Sequence, residues 1–126
     1  MKPGRTGISR LFYATGYSMK GLHAAWQNEA AFRQEVIASL ILIALTFFLP
    51  VTKIEQLLMI GSLVLVVLVE LMNSAIEAVV DRVGSEWHEL SGRAKDIGSA
   101  AVLVALIFAA FTWCFILVFY FGVINA

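Results

Sequence analysis

Three long stretches without a charged residue, at positions 36–52, 56–69 and 97–126, constrain this sequence more than any other feature. A helix needs about 20 apolar residues to cross roughly 30 Å of hydrocarbon, and about 17 is the lower end of the range. The first two stretches reach that length when they are extended back to Ala30 and forward past Glu70. Because 60% of the residues are hydrophobic and only 14% are charged, an ordinary soluble domain does not fit. The sequence therefore predicts an all-α integral membrane protein, with three transmembrane helices near 30–49, 54–81 and 92–122.

The segment before the first span has apolar residues near one face of a helix and polar residues on the rest. The apolar residues are Ile8, Leu11, Phe12, Met19, Leu22 and Trp26. This pattern predicts an amphipathic surface helix over about 6–27 that lies on the inner side of the membrane.

Two polar segments connect the predicted spans. Pro50, Thr52 and Lys53 predict a connection of a few residues, so the first two spans are expected to be antiparallel neighbours. The second segment, 81–96, predicts a loop or a frayed pair of helix ends, with Ser91 as the N-cap of the third span. Nothing is long enough for a second folded domain, so residues 1–126 are expected to form a single membrane domain.

The third span carries a line of small residues. Ala101, Ala105 and Ala109 recur every four positions, with Gly98 and Ser99 nearby. Small side chains let helices approach closely in lipid, so this line predicts a helix-packing face.

The positive charges are distributed unevenly about the predicted spans. Eight of the nine Lys and Arg residues lie on one side, and Lys53 alone lies on the other. By the positive-inside rule, the N-terminus and segment 81–96 are cytoplasmic, while Lys53 and the C-terminus are outside. The expected location is the cell inner membrane. The formal net charge is zero, so no overall field attracts nucleic acid.

A stripe of polar residues runs along the second predicted span. Glu70, Asn73, Glu77 and Asp81 are spaced three, four and four apart, so on a helix they lie within roughly 80° of one another. A carboxylate near the bilayer costs several kcal/mol unless it is paired, hydrated or metal-bound, so an intramembrane acidic stripe indicates a functional site. The alternative is a buried ion-pair network, in which Arg82 or Lys95 neutralises one carboxylate.

Divalent cations relieve repulsion among several carboxylates, and Mg²⁺ binds through one or two of them while it keeps phosphate ligands. Glu70 is the deepest member of the stripe, roughly 16 Å from Asp81 at about 1.5 Å per residue. A lipid hydroxyl would meet Glu70 first, whereas a soluble anion would meet Glu77 and Asp81 through metal, and Lys95 or Arg10 by charge pairing. The arrangement suits phosphoryl transfer from a nucleotide to a lipid. The sequence has no GxxxxGK[ST] loop and no protein-kinase signature.

The run ELMNSAIEAVVDRVGSEWHELSGRAKDIGSAAVL, with NEAAFRQE before it and GYSMKGL near the start, resembles the prokaryotic diacylglycerol kinases of the Gram-negative type. The likeness covers nearly the whole chain. It implies a homotrimer of three-helix subunits, each with an N-terminal surface helix, and composite active sites shared between subunits. It also implies diacylglycerol and ATP as substrates and Mg²⁺ as the cofactor.

The resemblance implies roles for individual residues. Glu70 is similar to the general base that accepts the hydroxyl proton, Glu77 and Glu29 to the magnesium ligands, and Asn73 to a residue that steadies this cluster. The implied ATP-binding residues are Arg10, Tyr17, Glu29, Glu77, Glu86, Trp87, His88, Lys95 and Asp96. The implied lipid-binding residues are Arg10, Ala14, Thr15, Gly16, Tyr17, Ser18, Met19, His23, Ala24, Ala25, Trp26, Ala31, Phe32, Arg33, Gln34, Glu35, Gln56, Glu70, Ser99 and Trp113.

Several of these residues also have a purely structural interpretation. Lys95 is typical of a juxtamembrane anchor, Trp26 and Trp113 of interfacial or packing aromatics, and His88 of a solvated loop. Glu35 has Lys20 or Arg33 as a possible ion-pair partner. Three other functions compete with a diacylglycerol kinase: an undecaprenol kinase, an ion or proton conductor that uses the acidic stripe as a relay, and a non-catalytic membrane scaffold.

Overall fold

Four helices make up the chain in a computed structural model that describes residues 6–125, except for the side chains of Tyr120 and 123–125. They are α1 (Gly7–Asn28), α2 (Ala30–Thr46), α3 (Lys53–Val83) and α4 (Glu89–Asn125). No strand occurs within this described range. The prediction of an all-α chain is therefore confirmed for residues 6–125.

The ends of α3 and α4 are set by side chains that bond to the backbone. Thr52 Oγ1 accepts a hydrogen bond from Glu55 N at 3.1 Å, and Glu55 Oε1 accepts one from Thr52 N at 2.8 Å. This capping box starts α3 at Lys53. His88 Nδ1 accepts a bond from Leu90 N at 3.1 Å, and α4 therefore begins at Glu89, three residues before the predicted start.

The predicted N-cap at Ser91 is wrong, because the helix has already begun there. The connection between α3 and α4 is also shorter than segment 81–96. It contains only residues 84–88, since α3 continues through Val83 and α4 begins at Glu89.

Helix α2 ends at Thr46, three residues before the predicted 49. Phe47 N and Phe48 N donate to Ala44 O and Leu45 O, which tightens the last turn, and Pro50 follows. Its 17 residues span roughly 26 Å at about 1.5 Å each.

Among residues 6–125, two helices are long and apolar enough to cross a membrane: α3, Lys53–Val83, and Glu89–Phe119 of α4. The most apolar 18-residue windows of these two segments have mean hydropathies of 2.2 and 2.8. Only 22% of the most apolar window of each is buried by the rest of the chain. The core helix of a soluble protein is mostly covered by its neighbours, so these exposed apolar surfaces indicate an all-helical membrane protein.

A sharp corner at Glu29 separates α1 from α2. Glu29 has an extended backbone (φ −119°, ψ 104°), and its N–H donates to Ala25 O at 2.9 Å. The Arg33 guanidinium reaches back from α2 and donates to Trp26 O at 2.6 Å and to Gln27 O at 3.3 Å. Arg33 thereby caps the carbonyl end of α1 and fixes the corner.

The core lies between α3 and α4, where Val66 packs against Ala105 and Ala109. The buried positions of α4 include Gly98 and Ile116, whereas Ala101 and Ser99 of the predicted small-residue line are exposed. A strict spacing of four drifts around a helix, while the buried and half-buried residues recur at alternating intervals of four and three, as in coiled coils. The residues of this line are Gly98, Val102, Ala105, Ala109, Thr112 and Ile116, and Trp113 and Leu117 beside it are also half-buried.

Candidate functional site

The polar stripe of α3 runs from Glu70 to Asp81, and at the Glu70 end it faces the other helices. Glu70 is only 5% exposed. Asn73 and Glu77 are half-buried, and Asp81 at the end of the helix is exposed. Helical periodicity alone places the first three on one side, so their shared burial follows from the spacing seen in the sequence.

Glu70 lies in a group of four glutamates, which we call the carboxylate cluster: Glu29, Glu35, Glu70 and Glu77. Its carboxyl group lies close to that of Glu35 and near those of Glu77 and Glu29, and Glu35 Oε2 is buried without a hydrogen-bond partner among the described residues. Glu29 lies between α1 and α2, Glu35 lies on α2, and Glu70 and Glu77 lie on α3. The corner at Glu29 turns α2 so that Glu35 faces α3.

No member of the carboxylate cluster belongs to an ion pair of residues 6–125. Those ion pairs join Lys95 to Asp81 and Arg93 to Glu89. Arg33 does not pair with Glu35, because its guanidinium is used at the carbonyl end of α1. A buried ion-pair network within one chain therefore does not explain the carboxylate cluster.

A first cavity, of about 890 Å³, lies between α1 and α3. Glu29 and Glu77 line it together, and Ser74, Asn28 and Asp81 contribute further polar groups. Across residues 6–125, no group of three or more Asp, Glu, His or Cys side chains is close enough to hold a metal. Two carboxylates in one cavity fit Mg²⁺, which takes one or two protein carboxylates and completes its shell with water and phosphate oxygens.

A second cavity of about 430 Å³ lies where α3 meets the start of α4. It is lined by Glu86, Trp87, His88 and Lys95 together with Asp81. Lys95 Nζ is 2.7 Å from Asp81 Oδ1. Asp81 lines both cavities, so it lies between Glu29 and Glu77 of the first cavity and Lys95 of the second.

Asp96 does not share the second cavity with Lys95. It lines a separate cavity of about 460 Å³ with Trp87, Glu89 and Arg93. Consecutive residues of a helix point about 100° apart, so the two side chains diverge. In one protomer, Lys95 and Asp96, which are both predicted to bind ATP, therefore line different cavities.

Only some of the predicted lipid-binding residues line a cavity. Ser18, Ala24 and Ala25 line the first cavity, and Glu35 and Trp113 line a third, apolar cavity of about 310 Å³. The other members line none of these cavities: Arg10, Ala14, Thr15, Gly16, Tyr17, Met19, His23, Trp26, Ala31, Phe32, Arg33, Gln34, Gln56, Glu70 and Ser99.

Gln56 and Trp113 instead bond between helices. Gln56 Nε2 donates to Thr46 Oγ1 at 3.1 Å and ties α3 to α2. Trp113 Nε1 donates to Met59 O at 3.1 Å and ties α4 to α3. These bonds give both residues a packing role, whatever else they contact.

Two neighbours of the cluster were not predicted as site residues. Ser74 is buried beside Glu70 on α3 and lines the first cavity. Gly98 was assigned to packing only, yet it lies directly against Asn73. A spacing that alternates between three and four residues would have indicated Ser74 and Gly98. It places Ser74 on the inward side of α3 and makes Gly98 the first residue of the buried line of α4.

The fold and the cluster define an all-helical membrane protein with an acidic site beside a cavity. Residues 16–117 match the family described as prokaryotic diacylglycerol kinase, and the chain belongs to that family. It is 58% identical to the diacylglycerol kinase of Escherichia coli strain K12 over 122 residues, which cover 97% of this chain and 100% of that protein.

The diacylglycerol kinases of Haemophilus influenzae and Pseudomonas aeruginosa are also similar. They are 56% and 53% identical over 114 residues, which cover 90% of this chain and 97% and 93% of theirs. The prediction that this chain is an enzyme of the diacylglycerol kinase class is confirmed.

Proposed function

We propose that the chain transfers a phosphoryl group directly from ATP to diacylglycerol, giving phosphatidic acid and ADP at the cytoplasmic face of the membrane. One observation carries the proposal. Glu29 and Glu77 line the same cavity next to the buried Glu70, and neither belongs to an ion pair of residues 6–125.

Glu70 is the general base of this reaction. The acceptor oxygen of diacylglycerol attacks the γ-phosphorus, the hydroxyl proton passes to the Glu70 carboxylate, and ADP leaves with the electrons of the broken P–O bond. Burial of Glu70 excludes water, which would otherwise compete with the lipid hydroxyl. Asn73 Nδ2 donates to Glu77 Oε1 at 3.3 Å and steadies that carboxylate.

Glu29 and Glu77 are the protein ligands of Mg²⁺. When bound, the cation neutralises charge on the phosphate oxygens and on the two carboxylates. These two carboxylates would hold the cation together with phosphate and water, because no group of three or more Asp, Glu, His or Cys side chains in residues 6–125 is close enough to hold it alone.

The second cavity is the proposed nucleotide subsite, with Lys95 as a phosphate contact beside Trp87 and His88. Arg10 and Tyr17 lie outside this cavity in one protomer. A homotrimer with shared sites supplies them from a neighbouring subunit, and it also covers apolar side chains that are exposed in the single chain, such as Leu103 and Ile107.

The proposed arrangement in the inner membrane has α2, α3 and α4 as spans, α1 on the cytoplasmic surface and the C-terminus outside. The placement of α1 is supported by its uncovered apolar side chains, since Ile8, Leu11 and Phe12 are 73%, 66% and 75% exposed.

The test uses the purified full chain in detergent with γ-labelled ATP and either diacylglycerol or undecaprenol in mixed micelles. We expect label in phosphatidic acid that requires Mg²⁺ and disappears with EDTA. Faster labelling of undecaprenol would contradict the acceptor, and labelling that persists in EDTA would contradict the metal.

A further inference from the structure

Gly98 stands out among the glycines of residues 6–125. A Cβ atom built on Gly7, Gly16, Gly21, Gly61, Gly84 or Gly122 would meet nothing within 4 Å, and one on Gly92 would make an ordinary 3.7 Å contact. A Cβ atom on Gly98 would overlap Asn73 Oδ1 and would lie 3.2 Å from Asn73 Cγ. The space that any other residue would fill at position 98 is therefore filled by the amide of Asn73.

The obstacle is the head of the Asn73 side chain and not its stem. The three atoms nearest to the built Cβ all belong to the Asn73 side chain, and its own Cβ is at 3.9 Å, an ordinary van der Waals distance. A glycine that only lets two helices approach would instead be crowded by the backbone of the facing helix. Gly98 thus forms a notch in α4 that matches one side-chain amide of α3.

The orientation of that amide is determined at both ends. A carboxylate only accepts hydrogen bonds, so Asn73 must present Nδ2 to Glu77. Oδ1 then turns towards Gly98. It is buried and has no hydrogen-bond partner among the described residues. Oδ1 faces the Cα–H of Gly98 that points where a Cβ atom would be. A Cα–H group is a weak hydrogen-bond donor.

The hydrogen bond from Asn73 to Glu77 depends on the position of the Asn73 amide against Gly98. At 3.3 Å it is longer than the usual length of about 2.9–3.0 Å, so a further shift of a few tenths of an ångström removes it. A methyl group at position 98 forces a shift of at least that size, because its overlap with Oδ1 cannot be relieved without moving the amide.

We propose that Gly98 is a positioning residue of the kinase site. Because Gly98 has no Cβ atom, the Asn73 amide fits against its Cα, and in this position the amide orients the Glu77 carboxylate. This inference rests on the proposed function, in which Glu77 is a magnesium ligand. It adds the residue of α4 that determines where that ligand points.

The experiment is a double-mutant cycle with Gly98→Ala and Asn73→Ala in the full chain. Asn73→Ala removes the atoms that would collide with the methyl group and keeps the stem at 3.9 Å. For each variant, the Mg²⁺ midpoint of phosphorylation and the thermal unfolding midpoint in detergent are measured. Gly61→Ala and Gly122→Ala, at open positions of α3 and α4, are the matched controls.

We expect Gly98→Ala to raise the Mg²⁺ midpoint by roughly tenfold or more, the effect of losing a hydrogen bond to a charged group. Asn73→Ala should do the same. Adding Gly98→Ala to Asn73→Ala should then leave the Mg²⁺ midpoint unchanged, as should each control in the wild-type background. The effect of this addition on the unfolding midpoint should equal that of the controls, which report the helix propensity of Ala over Gly.

Equal effects of Gly98→Ala in the wild-type and Asn73→Ala backgrounds would overturn the proposal, because position 98 would then act without Asn73. If Gly98→Ala alone does not fold, a folded double variant supports the notch and an unfolded one refutes it. Absent transfer by the wild-type chain would instead show failure of the proposed function, and the unfolding midpoints would still decide whether position 98 acts through Asn73.

Discussion

Replacement of Glu70 by Gln separates chemistry from folding more cleanly than any other change in the site. The substitution keeps the shape of the side chain and removes its ability to accept the hydroxyl proton. Because Glu70 is only 5% exposed, water cannot readily take its place. We expect kcat to fall by about 10²–10⁴, the usual contribution of a general base. At about 1.36 kcal/mol per decade, this is about 2.7–5.4 kcal/mol of transition-state stabilisation.

The stability of the Glu70→Gln variant should not fall with its activity. Glu70 lies near Glu35, Glu29 and Glu77, so neutralising it removes like-charge repulsion from the carboxylate cluster. The thermal unfolding midpoint in detergent is expected to equal or exceed that of the wild type.

The assay is radiolabel transfer from ATP to diacylglycerol at saturating substrate, with unfolding followed in parallel. Glu55→Gln is the matched control, since Glu55 lies on the same helix at the opposite end and Gln retains the capping-box bond. Turnover of Glu70→Gln within about threefold of the wild type would refute the base assignment, since a general base contributes far more than that. So would a loss of activity that appears only together with a lower unfolding midpoint.

Three further predictions follow from other parts of the fold. Glu29→Gln and Glu77→Gln should each raise the Mg²⁺ midpoint of the kinase reaction, and an unchanged midpoint with lost activity would rule them out as ligands. Glu70→Gln subunits reassembled with Lys95→Leu subunits should recover activity that neither has alone, whereas mixed trimers proven by crosslinking that stay inactive would confine the site to one subunit. Thr52→Ala should lower the free energy of unfolding by about 1 kcal/mol through loss of the α3 cap, without a change in the Mg²⁺ midpoint, which denaturation and metal titration can check.

Periodicity predicted the part of the site that lies on one helix. Glu70, Asn73 and Glu77 come to the inward side of α3 because their spacing of three and four residues matches a helical turn. It could not predict that Glu35 would meet Glu70, since that contact depends on the corner at Glu29. The corner is stabilised by hydrogen bonds from Arg33 to carbonyls six and seven residues earlier, which no hydrophobic pattern encodes.

Two departures from the predictions have the same geometric origin. Lys95 and Asp96 are adjacent in sequence and were expected to act as a pair, but helical rotation sends them into different cavities. Ala101 lies on a strict four-residue line and is exposed, because the real packing line alternates between intervals of four and three. Both could have been anticipated by following the rotation of α4, whereas the start of α4 at Glu89 depends on a single side-chain bond to His88.

The packing line of α4 determines how this helix is aligned along α3, and therefore which residues of α4 meet the polar stripe. Gly98 is the first buried residue of that line on α4, and it meets Asn73 within the polar stripe of α3. A slip of α4 by one residue would move it about 1.5 Å along its axis and turn it by about 100°. The notch would then leave the amide, and Ala105 and Ala109 would leave Val66 in the same movement. The contacts of Val66 with Ala105 and Ala109 thus help to keep Gly98 opposite Asn73, next to the carboxylate cluster.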